Sequence, residues 1–168
     1  MNEELQDKIK QLCESKIAFG AEWKELYYDA VYAICEHGYS SEDIENLPMK
    51  QQTIFPLLAM YSAMDCDGFF SIFYNNTLHE IKRLRHSIGL LGLDSIGNIF
   101  DEAFQLVESK FTWSDEHVNF ATQVETFAYE YFGKEISDRF EEWEKQVYDF
   151  VLSDKFAKHL ESYLKSTK

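Results

Sequence analysis

TLHEIKRLRHSIGLLG, residues 77–92, contains the start, the buried face and the end of one α-helix. Thr77 and Glu80 have the spacing of a capping box, in which each side chain bonds to the free backbone amide of the other residue. Four apolar residues then recur at helical spacing and would share one face, namely Leu78, Ile81, Leu84 and Ile88. Because glycine ends many helices, we predict a helix that begins at Leu78 and ends near Gly89 or Gly92.

The same helical spacing continues on both sides of this stretch. It predicts further helices at residues 5–17, 23–34, 54–64, 69–75, 95–107, 114–131, 138–150 and 156–164. Gly20 would end the first of them, and Pro56 would lie in a first turn, where its missing N–H is harmless. Ser95 and Asp138 would begin their helices. Because no run of alternating β-branched residues indicates a strand, we predict an all-α protein, a single compact multi-helix domain of about eight helices over residues 1–168.

Aromatic residues are expected to build the core of this domain. They make up 16% of the chain, with 14 Phe, 10 Tyr and 3 Trp. Each ring removes a large apolar area from water when it is buried. At helical spacing, four of them fall on inward-facing positions, namely Phe69, Phe73, Phe140 and Trp143. We therefore predict an aromatic-rich core that contains these four side chains.

The charge of the chain restricts its partners. Thirty acidic residues against 16 Lys and Arg give a net charge of −14, which repels nucleic acid and anionic membranes. This charge favours a basic protein partner, although a net charge also simply keeps a small protein soluble. The polar N-terminus and the lack of an apolar run of ~20 residues predict a cytoplasmic protein. Cys13, Cys35 and Cys66 are too few and too far apart in sequence to predict a disulfide framework or a zinc site, so no cofactor is expected.

Acidic residues are concentrated in the second half of the chain. Residues 94–154 hold fifteen Asp or Glu and four Lys or Arg, a local net charge of −11. In the helix predicted from Asp138, the face opposite Trp143 carries four of them, which are Asp138, Glu141, Glu142 and Asp149. Such a row of carboxylates is either an ordinary solvated face or a binding surface for a basic partner. We predict the binding surface at these four residues.

One basic stripe interrupts the acidic composition. His79, Lys82, Arg83 and His86 follow one another at i, i+3, i+4 and i+7 and therefore share a helix face. The two histidines are two turns apart, ~10 Å, which is too far for both to bind one metal ion without further ligands. Two interpretations remain for the stripe. It is an anion-binding site for a phosphate or carboxylate group, or a solvated stripe paired with acidic helices of the same chain or of a second copy in a homodimer.

Catalytic motifs are missing from the sequence. It contains no G-x-S-x-G, no H-E-x-x-H and no glycine-rich phosphate loop. Asp65, Asp67 and Gly68 resemble the opening of a calcium loop, but Asn76 stands where the closing glutamate would be. We therefore expect a protein that is not an enzyme.

A family resemblance adds to this interpretation. GFFSIFYN at residues 68–75, followed by the helix that ends in Ile88-Gly89, resembles a family of small, acidic, all-helical bacterial proteins that was long known only as a domain of unknown function. The likeness spans residues 47–164 and includes ISDRF at residues 136–140. Asp65, Cys66 and Asp67 depart from the Asn, Asn and Gly of the family pattern, and Ser71 replaces its Gln.

The resemblance suggests a function as well as a fold. The family includes a DNA mimic, an acidic protein that occupies the DNA-binding surface of a helix-turn-helix transcriptional regulator. The resemblance thus implies that the present chain is a non-enzymatic acidic binding protein, a DNA mimic that engages a basic DNA-binding regulator. The alternative is an immunity-type or other regulatory protein that neutralises a basic toxin or enzyme. An unrecognised enzyme that uses His79, Arg83 and His86 is a third and weaker hypothesis.

Overall fold

A computed structural model describes residues 1–110 and 133–166. Their helices are α1 (Glu3–Glu14), α2 (Ala21–His37), α3 (Ser41–Glu45), α4 (Met49–Cys66), α5 (Ser71–Tyr74), α6 (Leu78–Leu90), α7 (Asp94–Lys110), α8 (Gly133–Val151) and α9 (Asp154–Lys165). These two ranges contain no β-strand, and the prediction of an all-α protein is confirmed. The helix predicted at residues 114–131 lies outside the described residues.

Helix α4 lies at the centre of the packing. It contacts six other helices, namely α1, α2, α3, α5, α6 and α8. Most of its residues are buried, including the polar side chains of Gln51 and Thr53. A helix that is buried around most of its circumference is the expected centre of a helical domain. Helix α7 packs on both α6 and α8, and α9 packs on α8.

The capping box predicted at the start of α6 is confirmed. The Thr77 amide donates to Glu80 Oε2 at 2.7 Å, and the Glu80 amide donates to Thr77 Oγ1 at 3.3 Å. The helix ends at Leu90, and Gly92 follows with a φ of +67° that favours glycine. A second capping box, formed by Ser40 and Asp43, begins α3.

The prediction for Pro56 is wrong. Helix α4 begins at Met49 with Pro48 at its N-cap, so Pro56 lies in the interior of the helix. The polar run from Lys50 to Thr53 obscured this start, because polar residues usually indicate a solvated segment. Proline has no N–H for the carbonyl one turn earlier, that of Gln52. The buried apolar contacts of the central helix offset that loss.

Three predicted helix ends also differ from the structure. Helix α1 ends at Glu14 rather than near residue 17, because Ser15 adopts an extended conformation, and Gly20 is the N-cap of α2 instead of a stop signal for α1. Helix α7 begins at Asp94, one residue before Ser95. Helix α8 begins at Gly133, so Asp138 lies inside the helix.

The aromatic core is confirmed. Phe69 and Phe73 are fully buried, and Phe140 and Trp143 are at most 9% exposed. Their rings form a connected cluster: Phe73 lies 5.4 Å from Phe69 and 5.2 Å from Phe100, and Phe140 lies 5.3 Å from Trp143, between ring centroids. This cluster anchors α8 against α5 and α7, and it fixes which face of α8 points outward.

Candidate acidic interface

Helix α8 has a buried face and an acidic face. Phe140, Trp143, Val147 and Val151 are buried, whereas all four predicted binding residues are exposed, namely Asp138, Glu141, Glu142 and Asp149. We call these four residues the acidic row. None of them forms a salt bridge with any cation among the described residues. Their negative charge is therefore directed to solvent from a helix whose other face is held by the core.

Two basic residues of α8, Arg139 and Lys145, lie in sequence between Asp138 and Asp149. The guanidinium of Arg139 lies 4.7 Å from the centre of the Trp143 ring, and its Nη2 lies 3.4 Å from Glu102 Oε2 of α7. Arg139 therefore contacts Trp143 of the core and Glu102 of α7. Lys145 is exposed and lies on the same helix between Glu142 and Asp149, where it interrupts the acidic row.

Glu144, a carboxylate of α8 outside the acidic row, points inward and has a structural role. Glu144 Oε2 accepts a hydrogen bond from the Phe69 amide at 3.2 Å. Gly68 precedes this amide with a φ of +80°, and a Cβ there would lie only 2.9 Å from Glu144 Oε2. The glycine therefore provides both the backbone conformation and the space for the carboxylate. Glu144 ties α8 to the turn before α5.

Tyrosine rings extend the surface beside the acidic row. Tyr148 of α8 is 42% exposed, and Tyr28 of α2 is 46% exposed. Tyr61 of α4 lies between them, with its ring centroid 6.1 Å from that of Tyr28. Burial first, and then the nearby Tyr28, Asp65 and Tyr148, raise the pKa of the Tyr61 hydroxyl above its usual range. We call Tyr28, Tyr61 and Tyr148 the tyrosine row.

The tyrosine row is a feature of the fold that the sequence does not reveal. Its members come from three different helices, so no local pattern links them. One signal was available: Tyr148 follows Glu141 by seven residues, which is two turns along the same helix face. The exposed Asp65 lies next to Tyr61, so carboxylates flank the rings on α4 as well as on α8.

The structure brings part of the basic stripe together and pairs it with acidic residues. Arg83 Nη2 lies 3.1 Å from Glu45 Oε1 and 3.0 Å from His79 Nε2, and His79 Nε2 lies 3.3 Å from the same oxygen of Glu45. Arg83 Nη1 also donates to the Ser41 carbonyl at 3.4 Å. These contacts connect α6 to α3 in the same chain. They agree with the interpretation in which the stripe is paired with acidic residues of its own chain.

The other two residues of the stripe are exposed. Lys82 points to solvent, and His86 lines a groove of about 720 Å³ with His159 of α9 and the exposed side chains of Met49 and Leu90. Arg85, beside the stripe, makes a bidentate pair with Asp101 at 2.6 and 2.7 Å. An anion-binding role for the stripe stays a prediction.

Neither a metal-binding cluster nor a membrane span occurs in the described ranges. Over residues 1–110 and 133–166, no three His, Cys, Asp or Glu side chains converge in a way that could hold a metal ion. None of the helices described there is both long enough and apolar enough to cross a bilayer.

The fold and this surface define an acidic, all-helical protein with an aromatic core and a row of carboxylates that form no salt bridge among the described residues. The sequence model of the DMP19-like protein family matches residues 45–167, and the chain belongs to that family. The resemblance to this small family, predicted over residues 47–164, is confirmed over almost the same residues. Binding to a transcriptional regulator stays a prediction. Helices α1 and α2 precede the matched region. No curated protein and no solved structure matched the chain.

Proposed function

We propose that this protein is a non-enzymatic binding protein whose acidic row engages a basic protein partner. The proposal rests on one observation above all: Asp138, Glu141, Glu142 and Asp149 are exposed and unpaired among the described residues, on a helix anchored by Phe140 and Trp143. Exposed carboxylates three or four residues apart repel each other, at a cost of a few tenths of a kcal/mol per pair. A basic partner would relieve this repulsion.

The fixed positions of the carboxylates suit a partner that recognises DNA. From Asp138 to Asp149 the row is ~16 Å long, since a helix rises 1.5 Å per residue. Its charges are sparser than those of duplex DNA, which carries one phosphate per ~1.7 Å of axis. The row is nevertheless rigid, so a basic groove-binding helix would meet fixed negative charges. Together with the family resemblance, this supports a DNA mimic that engages the DNA-binding surface of a transcriptional regulator.

The tyrosine row supports the alternative function, neutralisation of a basic toxin or enzyme. Tyrosine is enriched among the residues that dominate protein–protein affinity, and its ring stacks well against arginine. Exposed Tyr28 and Tyr148 next to carboxylates would suit any arginine-rich partner, including a basic toxin or enzyme that the protein neutralises. Competition separates the two functions. DNA competes with a mimic for its partner, whereas it does not displace a toxin or enzyme that has no DNA-binding surface.

Capture of partners from the source cells' lysate tests the proposal. The parent protein and a Glu141→Lys/Glu142→Lys variant would be immobilised and washed at low and at high salt. The proposal predicts a captured basic protein that is released by salt, because solvated charge contacts are screened. It also predicts that the variant captures little of it. Added duplex DNA should displace a regulator from the parent protein.

A matched control variant reverses charge elsewhere. Asp7 and Glu14 of α1 are exposed and unpaired among the described residues, and α1 precedes the family-matched region. Asp7→Lys/Glu14→Lys changes the net charge by the same amount as the α8 variant. It should capture the partner as the parent does. Equal loss in both variants would show that net charge, rather than the acidic row, governs binding, and would overturn the proposal.

A further inference from the structure

Two of the three cysteines, far apart in sequence, lie next to each other in the fold. Cys35 is near the end of α2, and Cys66 is the last residue of α4. Their Sγ atoms are 3.8 Å apart, and both residues are exposed. Cys13 of α1 is half-buried, and burial is the main cause that raises the pKa of its thiol to about 12. Cys35 and Cys66 therefore form a pair of exposed thiols, and Cys13 is not part of it.

The geometry around this pair suits a covalent bond. A disulfide needs an S–S distance of ~2.05 Å, so the two sulfur atoms must approach by less than ~2 Å. The helices that carry them, α2 and α4, pack directly against each other. Cys35 Sγ also lies 2.7 Å from Ser62 Oγ, one turn before Cys66 on α4, which holds its side chain towards that helix. Both thiols line a cavity of about 410 Å³, so a small solute has access to them.

The charges near the pair determine which oxidants suit it. The hydrogen bond with Cys35 is the largest cause that raises the pKa of the Cys66 thiol, followed by burial and by the neighbouring Asp65 and Asp67. The raised pKa keeps most of the Cys66 thiol protonated at neutral pH, so exchange through this thiol should be slow. The two carboxylates also repel anionic reagents. A neutral low-molecular-weight disulfide is therefore a better oxidant here than an anionic one.

We propose that Cys35 and Cys66 form a reversible intramolecular disulfide that joins the end of α2 to the end of α4, with a neutral small disulfide as oxidant. The first thiol loses its proton to solvent, and its thiolate attacks one sulfur of the small disulfide. This forms a mixed disulfide and releases one small thiolate. The second cysteine, also deprotonated, attacks the protein sulfur of the mixed disulfide and releases the second small thiolate. Two electrons pass from the protein to the small disulfide, which is reduced to two thiols.

The cross-link would close a loop that contains α3 and most of α4. Closing a loop of this size removes conformational freedom from the unfolded chain, which stabilises the folded state. It would also tie down the end of α4, directly before Gly68 and the amide that Glu144 binds. Oxidation should therefore raise the melting temperature and leave the helix content unchanged.

Equilibration of the full-length protein with hydroxyethyl disulfide tests the proposal. The parent should lose two hydrogen atoms in its intact mass, retain one free thiol at Cys13, and give a linked peptide that contains Cys35 and Cys66. Its melting temperature should rise by at least ~5 °C, and dithiothreitol should reverse both changes. Cys13→Ser should lose two hydrogen atoms and show the same rise in melting temperature. Cys35→Ser should show neither the loss of two hydrogen atoms nor the rise in melting temperature.

Two results would overturn the proposal. One is a stable mixed disulfide on Cys35 or Cys66 of the parent without the loss of two hydrogen atoms. The other is formation of disulfide-linked dimers in place of the internal link. Because Cys35 is exposed, Cys35→Ser should be a mild change. Circular dichroism and the melting temperature in reductant, compared between this variant and the reduced parent, check that the variant folds.

Discussion

The carboxylate of Glu144 accepts a hydrogen bond from the Phe69 amide at 3.2 Å and so connects α8, which carries the acidic row, to the turn before α5. A Cβ on Gly68 would lie 2.9 Å from this carboxylate. Residues 68–75, which carry the family resemblance, are therefore in direct contact with the helix that carries the acidic row. The glycine permits the contact, and the contact positions the helix that presents Asp138, Glu141, Glu142 and Asp149.

Substitution of Gly68 should be costly for this reason. Gly68→Ala places a side chain at a φ of +80° and displaces Glu144. Left-handed backbone costs other residues about 1–2 kcal/mol, so urea titration should show at least that loss of unfolding free energy. Gly89→Ala is the control, because Gly89 is helical and a Cβ there meets only ordinary contacts. It should be neutral or stabilising. Equal stability of the two variants would contradict the role given to Gly68.

The aromatic core gives a second prediction. Phe73 is fully buried and touches Phe69 and Phe100. Phe73→Ala should lower the free energy of unfolding by about 3–5 kcal/mol, since the cavity it leaves cannot close completely. Thermal and urea unfolding measure the change. Melting within a degree or two of the parent would mean that this ring is not part of the core.

Tyr27 gives a prediction about stability at neutral pH. Its hydroxyl is buried and has no hydrogen-bond partner among the described residues. An unsatisfied buried hydroxyl lowers stability by about 1–3 kcal/mol. Tyr27→Phe should therefore keep or raise the free energy of unfolding at pH 7, measured in urea. A clear loss of stability would indicate that the hydroxyl has a partner.

The same tyrosine predicts how stability changes in alkali. Burial, followed by Tyr61 and Tyr28, raises the pKa of Tyr27 well above its ordinary value of 10. Well below pH 10, the hydroxyl is neutral in the folded and the unfolded chain. Above pH 10 only the unfolded chain can ionise it, so stability should fall by up to about 1.4 kcal/mol per pH unit for this group. Urea titrations from pH 9 to 11 should show a shallower fall for Tyr27→Phe. Identical slopes would show that Tyr27 is not the cause.

The role of Arg83 can be separated from that of its neighbour Lys82. Arg83 bonds to Glu45 and to the Ser41 carbonyl, and its side chain is only 15% exposed, whereas Lys82 is exposed. Arg83→Gln should lower the free energy of unfolding by about 1 kcal/mol, because it removes the contacts of the guanidinium with Glu45 and with the Ser41 carbonyl of α3. Lys82→Gln should change it by less than ~0.5 kcal/mol. Equal effects in urea unfolding would show that Arg83 does not fasten α6 to α3.

Local signals in the sequence were enough to predict much of this fold. The capping box at Thr77 and Glu80 and the spacing of Phe140 and Trp143 depend on neighbours within one or two turns, and the structure confirms both. The exposure of the acidic row follows from the same helical spacing. Its role as a binding surface depends on a partner that the sequence does not contain.

Other features depend on contacts between distant segments. Pro56 lies inside α4 because the surrounding helices bury it, which no local pattern reveals. The tyrosine row joins three helices, and Cys35 meets Cys66 only after α2 and α4 pack together. The pairing of Arg83 and His79 with Glu45 likewise appears only once α3 lies against α6.

The most direct measurement of the central claim is a titration of the captured partner with the parent protein and with Glu141→Lys/Glu142→Lys. Both positions are exposed and lysine is a good helix former, so folding should change by less than ~1 kcal/mol. At low salt, we expect the variant to bind the partner at least tenfold more weakly, a difference of ~1.4 kcal/mol, and we expect a smaller difference at high salt. Unchanged affinity in a folded variant would contradict the claim that the acidic row of α8 binds the partner.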